Sequence, residues 1–292
     1  MKKIKWSSVI IYSVLFFITL TMLIPILNIL ALSLTDPVNA HKMRGLDILP
    51  KGLSFINYKV LFSNPQIGKS IFNSIFITAT GTFINLLLTA MSAYVLTRPK
   101  LVGKRFFTVL LIIIMVFQPG MIQEYLVIMK LGLIDKYLSV ILYKAVNVYY
   151  LIILMRFFED VPESIIEGAM IDGAGHATIF SKIMLPLSKP AIATLGLFYG
   201  VFHWNEFFKA SIYLNSRSKW PLQLVLRQFV VVKDTTAMLG VNSLLSYNDM
   251  AQLDYVSLQA GTIILAIVPL LVFYPFILKY YAKGSFEGGV KE

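Results

Sequence analysis

The sequence predicts an all-α polytopic membrane protein: six transmembrane helices, with a cytosolic helix–turn–helix between the fourth and fifth. Three observations predict it. Apolar residues form 57% of the 292-residue chain and charged residues 14%, with a mean hydropathy of +0.74. A soluble domain carries about 25% charge, so most of this surface must face something other than water. Apolar runs of the length that crosses hydrocarbon, about 20 residues, recur six times along the chain. Between the fourth and fifth runs lies a polar stretch of about thirty residues with acids on one helical face.

The runs extend over Val9–Leu34, Ile71–Leu96, Phe106–Met129, Leu138–Phe158, Ala191–Tyr213 and Leu258–Tyr281. The first is expected to stay as a helix, because it is longer than the apolar core of a cleaved signal and no small-residue cleavage site follows it. Residues 1–292 therefore read as one transmembrane domain with outer loops at 35–69 and 215–257 and an inner loop at 159–189. Pro25, and Pro119 with Gly120, are expected to kink their helices.

Charge sets the orientation. Lys2, Lys3 and Lys5 precede the first span, and Arg98, Lys100, Lys104 and Arg105 crowd the short, acid-free link between the second and third. Both segments lie on one side of a six-span chain, so both termini are expected in the cytosol of a multi-pass cell-membrane protein. The balance of 26 basic against 15 acidic residues, a net +11, reflects cations placed between apolar runs rather than a nucleic-acid face. With no cysteine, disulfides, thiolate zinc sites and thiol nucleophiles are excluded. His41, His176 and His203 share no metal-ligand spacing.

In the inner loop, Asp160 is expected to cap a helix with Pro162 in its first turn. Glu163 and Glu167 share one face of that helix, and Ile165, Ile166 and Ala169 the other. Gly173 and Gly175 break it. Thr178 is expected to cap a second helix carrying Ile179, Ile183 and Met184 that stops at Leu185-Pro186. An acidic tip is repelled by an anionic inner leaflet, so a basic protein partner fits it better than lipid.

The run Glu167-Gly168-Ala169, then Asp172-Gly173-Ala174, then Ile183-Met184-Leu185-Pro186 resembles the EAA loop of ABC importer permeases. That pattern reads E-A-A, three residues, G, nine residues, I-x-L-P. Gly168 departs from it, a change that weakens a helix by roughly 1 kcal/mol. Gln118-Pro119, Tyr125 and Lys130-Leu131-Gly132-Leu133-Ile134-Asp135 resemble the third-span region of carbohydrate permeases of the maltose-importer superfamily. Trp204-Asn205-Glu206, Tyr274-Pro275 and the end near Lys279-Tyr280-Tyr281 extend that likeness over nearly the whole chain. Trp220-Pro221-Leu222-Gln223 and Leu226-Arg227 bring it nearest to permeases for complex polysaccharides or uronic-acid oligosaccharides.

The resemblance implies a permease subunit, not an enzyme, in an importer with a second permease, two cytosolic ATPases and an extracellular solute-binding protein. It implies no cofactor in this chain, with ATP and Mg held by the ATPases. It assigns ATPase coupling to Glu163, Glu167, Ala169, Asp172, Gly173, Ala174, Leu185 and Pro186. The outer loop is expected to dock the binding protein.

Polar groups within spans default to function. Candidate solute contacts are Gln118, Asn147, Tyr150, His203, Trp204, Asn205 and Glu206, since planar hydrogen-bonding groups and aromatic faces suit sugars. Lys144, His203 or Lys209 would attract a uronate carboxylate. Against this, Asn and Thr in spans also serve as interhelical hydrogen bonds, and Glu206 with Lys209 has the spacing of an i, i+3 ion pair. Ser63–Ser70 ends like a phosphate-binding loop but starts with Ser63 where glycine is needed, and is rejected. Two other readings stay open: an ABC permease for a polyamine or amino acid, and a stand-alone secondary transporter with a proton relay through Glu206, His203 and Lys144.

Overall fold

The computed structural model of the protein describes residues 6–117, 119–232 and 254–287. The N-terminal lysines, Gln118 and residues 233–253 of the outer loop, with Lys233, Asp234 and Asp249, lie outside the described residues. The chain is helical: α1 (Trp6–Ser33), α2 (Pro37–Ala40), α3 (Ile56–Ser63), α4 (Pro65–Leu96), α5 (Lys104–Val116), α6 (Met121–Lys130), α7 (Leu138–Ile141) and α8 (Val148–Glu159) come first. Then follow α9 (Glu163–Ile171), α10 (His176–Ile179), a π turn (Phe180–Met184), α11 (Leu185–Leu187), α12 (Lys189–Asn205), α13 (Phe208–Tyr213), α14 (Leu222–Val230) and α15 (Tyr255–Glu287). No strand forms among the described residues beyond one bridge, Thr35 with Leu53.

Three helices are individually long and apolar enough to cross a membrane, over Val9–Ser33, Pro65–Leu96 and Tyr255–Val272. Two bent pairs pass the same test jointly: α5 with α6, and His176–Leu187 with α12, the latter bent by 83°. The runs expected as the third, fourth and fifth spans are thus not continuous helices, and each break has a local cause. Between α5 and α6 stand Pro119, which has no N–H to donate, and Gly120 in extended conformation. Before α8, Lys144 takes a left-handed φ of 51°, and the Asn147 side chain caps the helix by accepting from the N–H groups of Tyr149 and Tyr150. After α12, Glu206 is extended and its carboxylate accepts the Lys209 N–H at 2.7 Å, opening α13.

The fold comprises two compact units, Met1–Lys69 with Val225–Pro269 and Ser70–Leu224 with Leu270–Glu292. In the first, the segment after α1 is tied down by two side-chain amides, of which Asn57 is buried and Asn28 half-buried. Asn57 donates to the carbonyls of Ser33 and Thr35 at 3.0 and 3.2 Å, and Asn28 to those of Arg44 and Asp47 at 2.8 and 2.7 Å. The run that mimics a phosphate loop is a helix junction: α3 ends at Ser63, and Asn64 accepts the Gln66 N–H at 2.8 Å to start α4.

The second unit is organised around a polar seam between α4 and α12. Asn85 meets His203 at 3.0 Å, and the Thr89 and Tyr199 hydroxyls meet at 2.8 Å. Tyr199 also accepts the Asn147 N–H at 3.0 Å, fixing the start of α8. A Cβ on Gly81 would lie 2.5 Å from His203 Nε2, so the imidazole fits only because that position is glycine. Toward the other end of α8 an apolar cluster joins Ala90, Ala93 and Tyr94 of α4 to Leu151, Leu154 and Phe158 of α8 and Ala191 and Leu195 of α12.

Gly81→Ala is expected to destabilise the protein by about 1–3 kcal/mol through overpacking. In Gly81→Ala/His203→Ala the loss should be smaller than the sum of the two single losses, as measured by thermal unfolding in detergent.

Candidate functional site

The acidic loop is held from beneath by its apolar residues. Ile166 of α9, Ile179 of α10 and Met184 of the π turn are buried in the cluster formed by α4, α8 and α12. The Tyr94 hydroxyl lies 2.9 Å from His176 Nδ1, and its ring packs against Phe180 at 5.5 Å. Glu163, Glu167 and Asp172 are all exposed. Ala169, Ala174 and Leu185 are half-buried against the cluster, while Pro186 is exposed. The loop therefore has a covered apolar side and a bare acidic side.

Its boundaries differ from those expected. Asp160 is the C-cap of α8, and Pro162 rather than Asp160 occupies the N-cap of α9, placing Glu163 in the first turn where its charge favours the helix dipole. Ile165 is 44% exposed, so the apolar stripe is narrower than its periodicity implies. Gly173 has φ +81°, a conformation side chains strain to adopt, and there Ala174 N–H donates to the Ala169 carbonyl at 2.9 Å to close α9. Gly175, not Thr178, caps α10. The helix does not stop at Leu185-Pro186: the π turn carries it on to Leu187, and it bends at Ser188 into α12.

The candidate solute contacts differ in burial. His203 and Trp204 are buried, Asn147 and Tyr150 are half-buried, Asn205 is exposed and Gln118 lies outside the described residues. Asn147 and His203 are already engaged in the seam and its cap. Tyr150 stands edge-on to Tyr199 at 5.0 Å, and the Asn205 amide donates back to the Val201 carbonyl at 2.9 Å. Glu206 is not the ion partner of Lys209; it takes only the Lys209 backbone N–H. The Lys209 ammonium instead pairs with Glu124 of α6 and sits over the Tyr143 ring at 4.5 Å. No residue spacing along the sequence reveals that pairing.

A second arrangement that sequence reasoning missed lies around Asp135. Its carboxylate accepts from Ser216 N–H at 2.9 Å, Ser216 Oγ at 2.7 Å and Lys219 Nζ at 2.6 Å. Asn73 donates to the Ser218 and Trp220 carbonyls at 2.9 and 3.1 Å, and Ser74 Oγ accepts the Leu222 N–H at 2.8 Å. The start of the segment after α13 is thereby clamped. The donors from Lys219 and Ser216 hold the Asp135 carboxyl well below its ordinary 3.8. A depressed carboxyl contributes stability above its unfolded value and loses it only as pH falls through the folded one, so the clamp is intact from pH 5 to 8. Among the described residues no group of His, Asp and Glu has the arrangement of a metal site.

No family model matches the chain. It is 38% identical over 287 residues to the polygalacturonan/rhamnogalacturonan transport system permease protein YtcP of Bacillus subtilis, covering 96% of each chain. It is 40% identical over 269 residues to Protein LplC of the same organism, covering 92% of this chain and 89% of that one. Among solved structures it is similar to a chain of a bacterial ABC transporter involved in the import of the acidic polysaccharide alginate. The TM-score is 0.88 at 27% identity, covering 96% of this chain and all of that one.

Asp135→Asn is expected to raise the rate of tryptic cleavage at Arg217 and Lys219 several-fold in reconstituted protein, with wild-type cleavage slow at both pH 5 and pH 8.

Proposed function

Because this chain belongs to the permease subunits of carbohydrate ABC transporters, we propose that it forms half of a translocation pathway for an acidic oligosaccharide and is driven through its acidic loop. The observation that carries the coupling role is the two-sided loop: an exposed carboxylate rim on a segment whose apolar side reaches the packed ends of α4, α8 and α12. A load applied to the rim is passed to three bundle helices at once.

In this reading the chain spans the cell membrane six times with both termini in the cytosol, the interrupted runs each counting as one span. A second permease completes the pathway, and an extracellular binding protein delivers the sugar to the outer face. Two cytosolic ATPases bind ATP and Mg, and this chain hydrolyses nothing. Glu163, Glu167 and Asp172 meet basic residues in a cleft of an ATPase, and Gly173 makes the turn that seats the loop there. Ala169, Ala174 and Leu185 back it, and Pro186 ends its rim. ATP-driven closure of the ATPases then moves the loops of the two permeases together, switching the bundle between two discrete arrangements.

For the sugar, Asn205 is the exposed member of the candidate set, Asn147, Tyr150 and Glu206 are half-buried, and Gln118, His203 and Trp204 complete the set assigned from sequence. The acidic substrate class is supported by two relatives, one named for polygalacturonan and rhamnogalacturonan transport and the other, of known structure, involved in alginate import.

Glu167→Lys should leave the permease in the membrane with its partner while removing ATPase stimulation by the loaded binding protein. Reversing one charge of a shielded pair costs about 3–5 kcal/mol, enough to undock the loop. Undiminished stimulation in proteoliposomes overturns the coupling assignment.

A further inference from the structure

Among the described residues, Lys209 is the one lysine that the second unit buries, with 7% of its surface exposed. Its ammonium lies over the Tyr143 ring at 4.5 Å and within 5.9 and 6.0 Å of the Phe208 and Tyr213 rings. Its ion partner, Glu124, comes from the first turn of α6, and that side chain is the more exposed of the two, 20% against 9%. Tyr125, the next residue, stacks on Tyr213 at 6.4 Å. A fixed cation is thus boxed by aromatic faces and closed on its accessible side by a carboxylate.

A buried ion pair is no better for stability than an apolar pair of the same shape, so folding alone does not account for placing one here. Aromatic walls with one placed charge are the usual lining of a small-molecule site, and sugar rings stack their C–H faces on such walls. We infer that Glu124 is an internal stand-in for a uronate: during translocation a carboxylate of the acidic oligosaccharide replaces it on Lys209, and the released Glu124 turns toward water. Lys209 is the residue that reads the acid, and Glu124 sets how strongly it is held. The exchange is reversible, since the displaced carboxylate remains tethered to α6 and expels the sugar when the pair re-forms. This inference rests on the acidic-oligosaccharide reading above and names the group that recognises the acid.

The test uses the whole transporter, with partner permease and ATPases, in nanodiscs without binding protein and trapped with nucleotide. Trigalacturonate is titrated against its trimethyl ester, which has the same rings without charge. Glu124→Gln should tighten trigalacturonate binding, and Glu124→Gln/Lys209→Gln should weaken it about tenfold or more, the worth of a charge-assisted hydrogen bond. The ester should respond to neither change. Lys209→Arg, which keeps the charge, should retain binding, and it serves as the second readout if Glu124→Gln does not assemble. Shifts of one sign in both variants, or equal shifts for acid and ester, mean that the pair only supports the fold and overturn the inference. Loss of trigalacturonate binding in Lys209→Arg does the same. Wild-type uptake of trigalacturonate in proteoliposomes separates the two failures: where uptake occurs without the opposed shifts, only the exchange is wrong, and where it does not occur, the substrate class falls as well.

Discussion

The Tyr199 hydroxyl is the point on which the second unit depends. It is buried within α12, shares a hydrogen bond with Thr89 of α4 and accepts the Asn147 N–H at the head of α8. A buried polar group left without its partner is costly, so three helices are held to one another through this one hydroxyl. Neighbouring Asn85 and His203 repeat the contact one turn away, within the space left by Gly81. Polar contacts of this kind set where helices touch far more narrowly than leucine against leucine does. They also engage Asn147 and His203, two of the candidate solute contacts read from the sequence.

From that point the geometry runs down α8. Its far end presents Leu154 and Phe158 to Ile166, Ile179 and Met184, so the acidic loop is packed on a helix whose other end is pinned in the seam. The bend of 83° at Ser188 turns the arm His176–Leu187 away from α12. In the proposed coupling, an arm continuous with one bundle helix would convert a push at its tip into rotation of that helix. The contacts that pack the loop are the ones the proposed coupling would load.

Much of this was legible in the sequence, and the remainder was not for identifiable reasons. The apolar excess shows the solvent, and the spacing of Glu167, Gly173 and Ile183–Pro186 shows the loop, because both are local properties. Gly173 was readable since only a turn of that hand requires glycine. The interruptions at Lys144–Asn147 and at Glu206 were hidden, because an apolar window averages across a capping side chain and a single extended residue. Asp160 was misassigned because an acid between two helices fits equally well as the end of one or the start of the next, and tertiary packing decides. Glu124 with Lys209, and Asp135 with Lys219, are 85 and 84 residues apart; no periodicity carries information over that distance.

The three interruptions of the second unit have a consequence for solvent. Where a helix stops inside a bilayer, its last carbonyls and first amides lose their partners, and lipid offers none. The chain breaks its helices after Val116, before Val148 and after Asn205, and the proposed six-span reading would set these ends within the bilayer. Exposed main chain at such depth is stable only beside a column of water or another protein surface. In the proposed pathway these ends are where main-chain groups would meet water or the second permease, and an arriving oligosaccharide would there exchange its hydroxyls for water rather than part a dry interior.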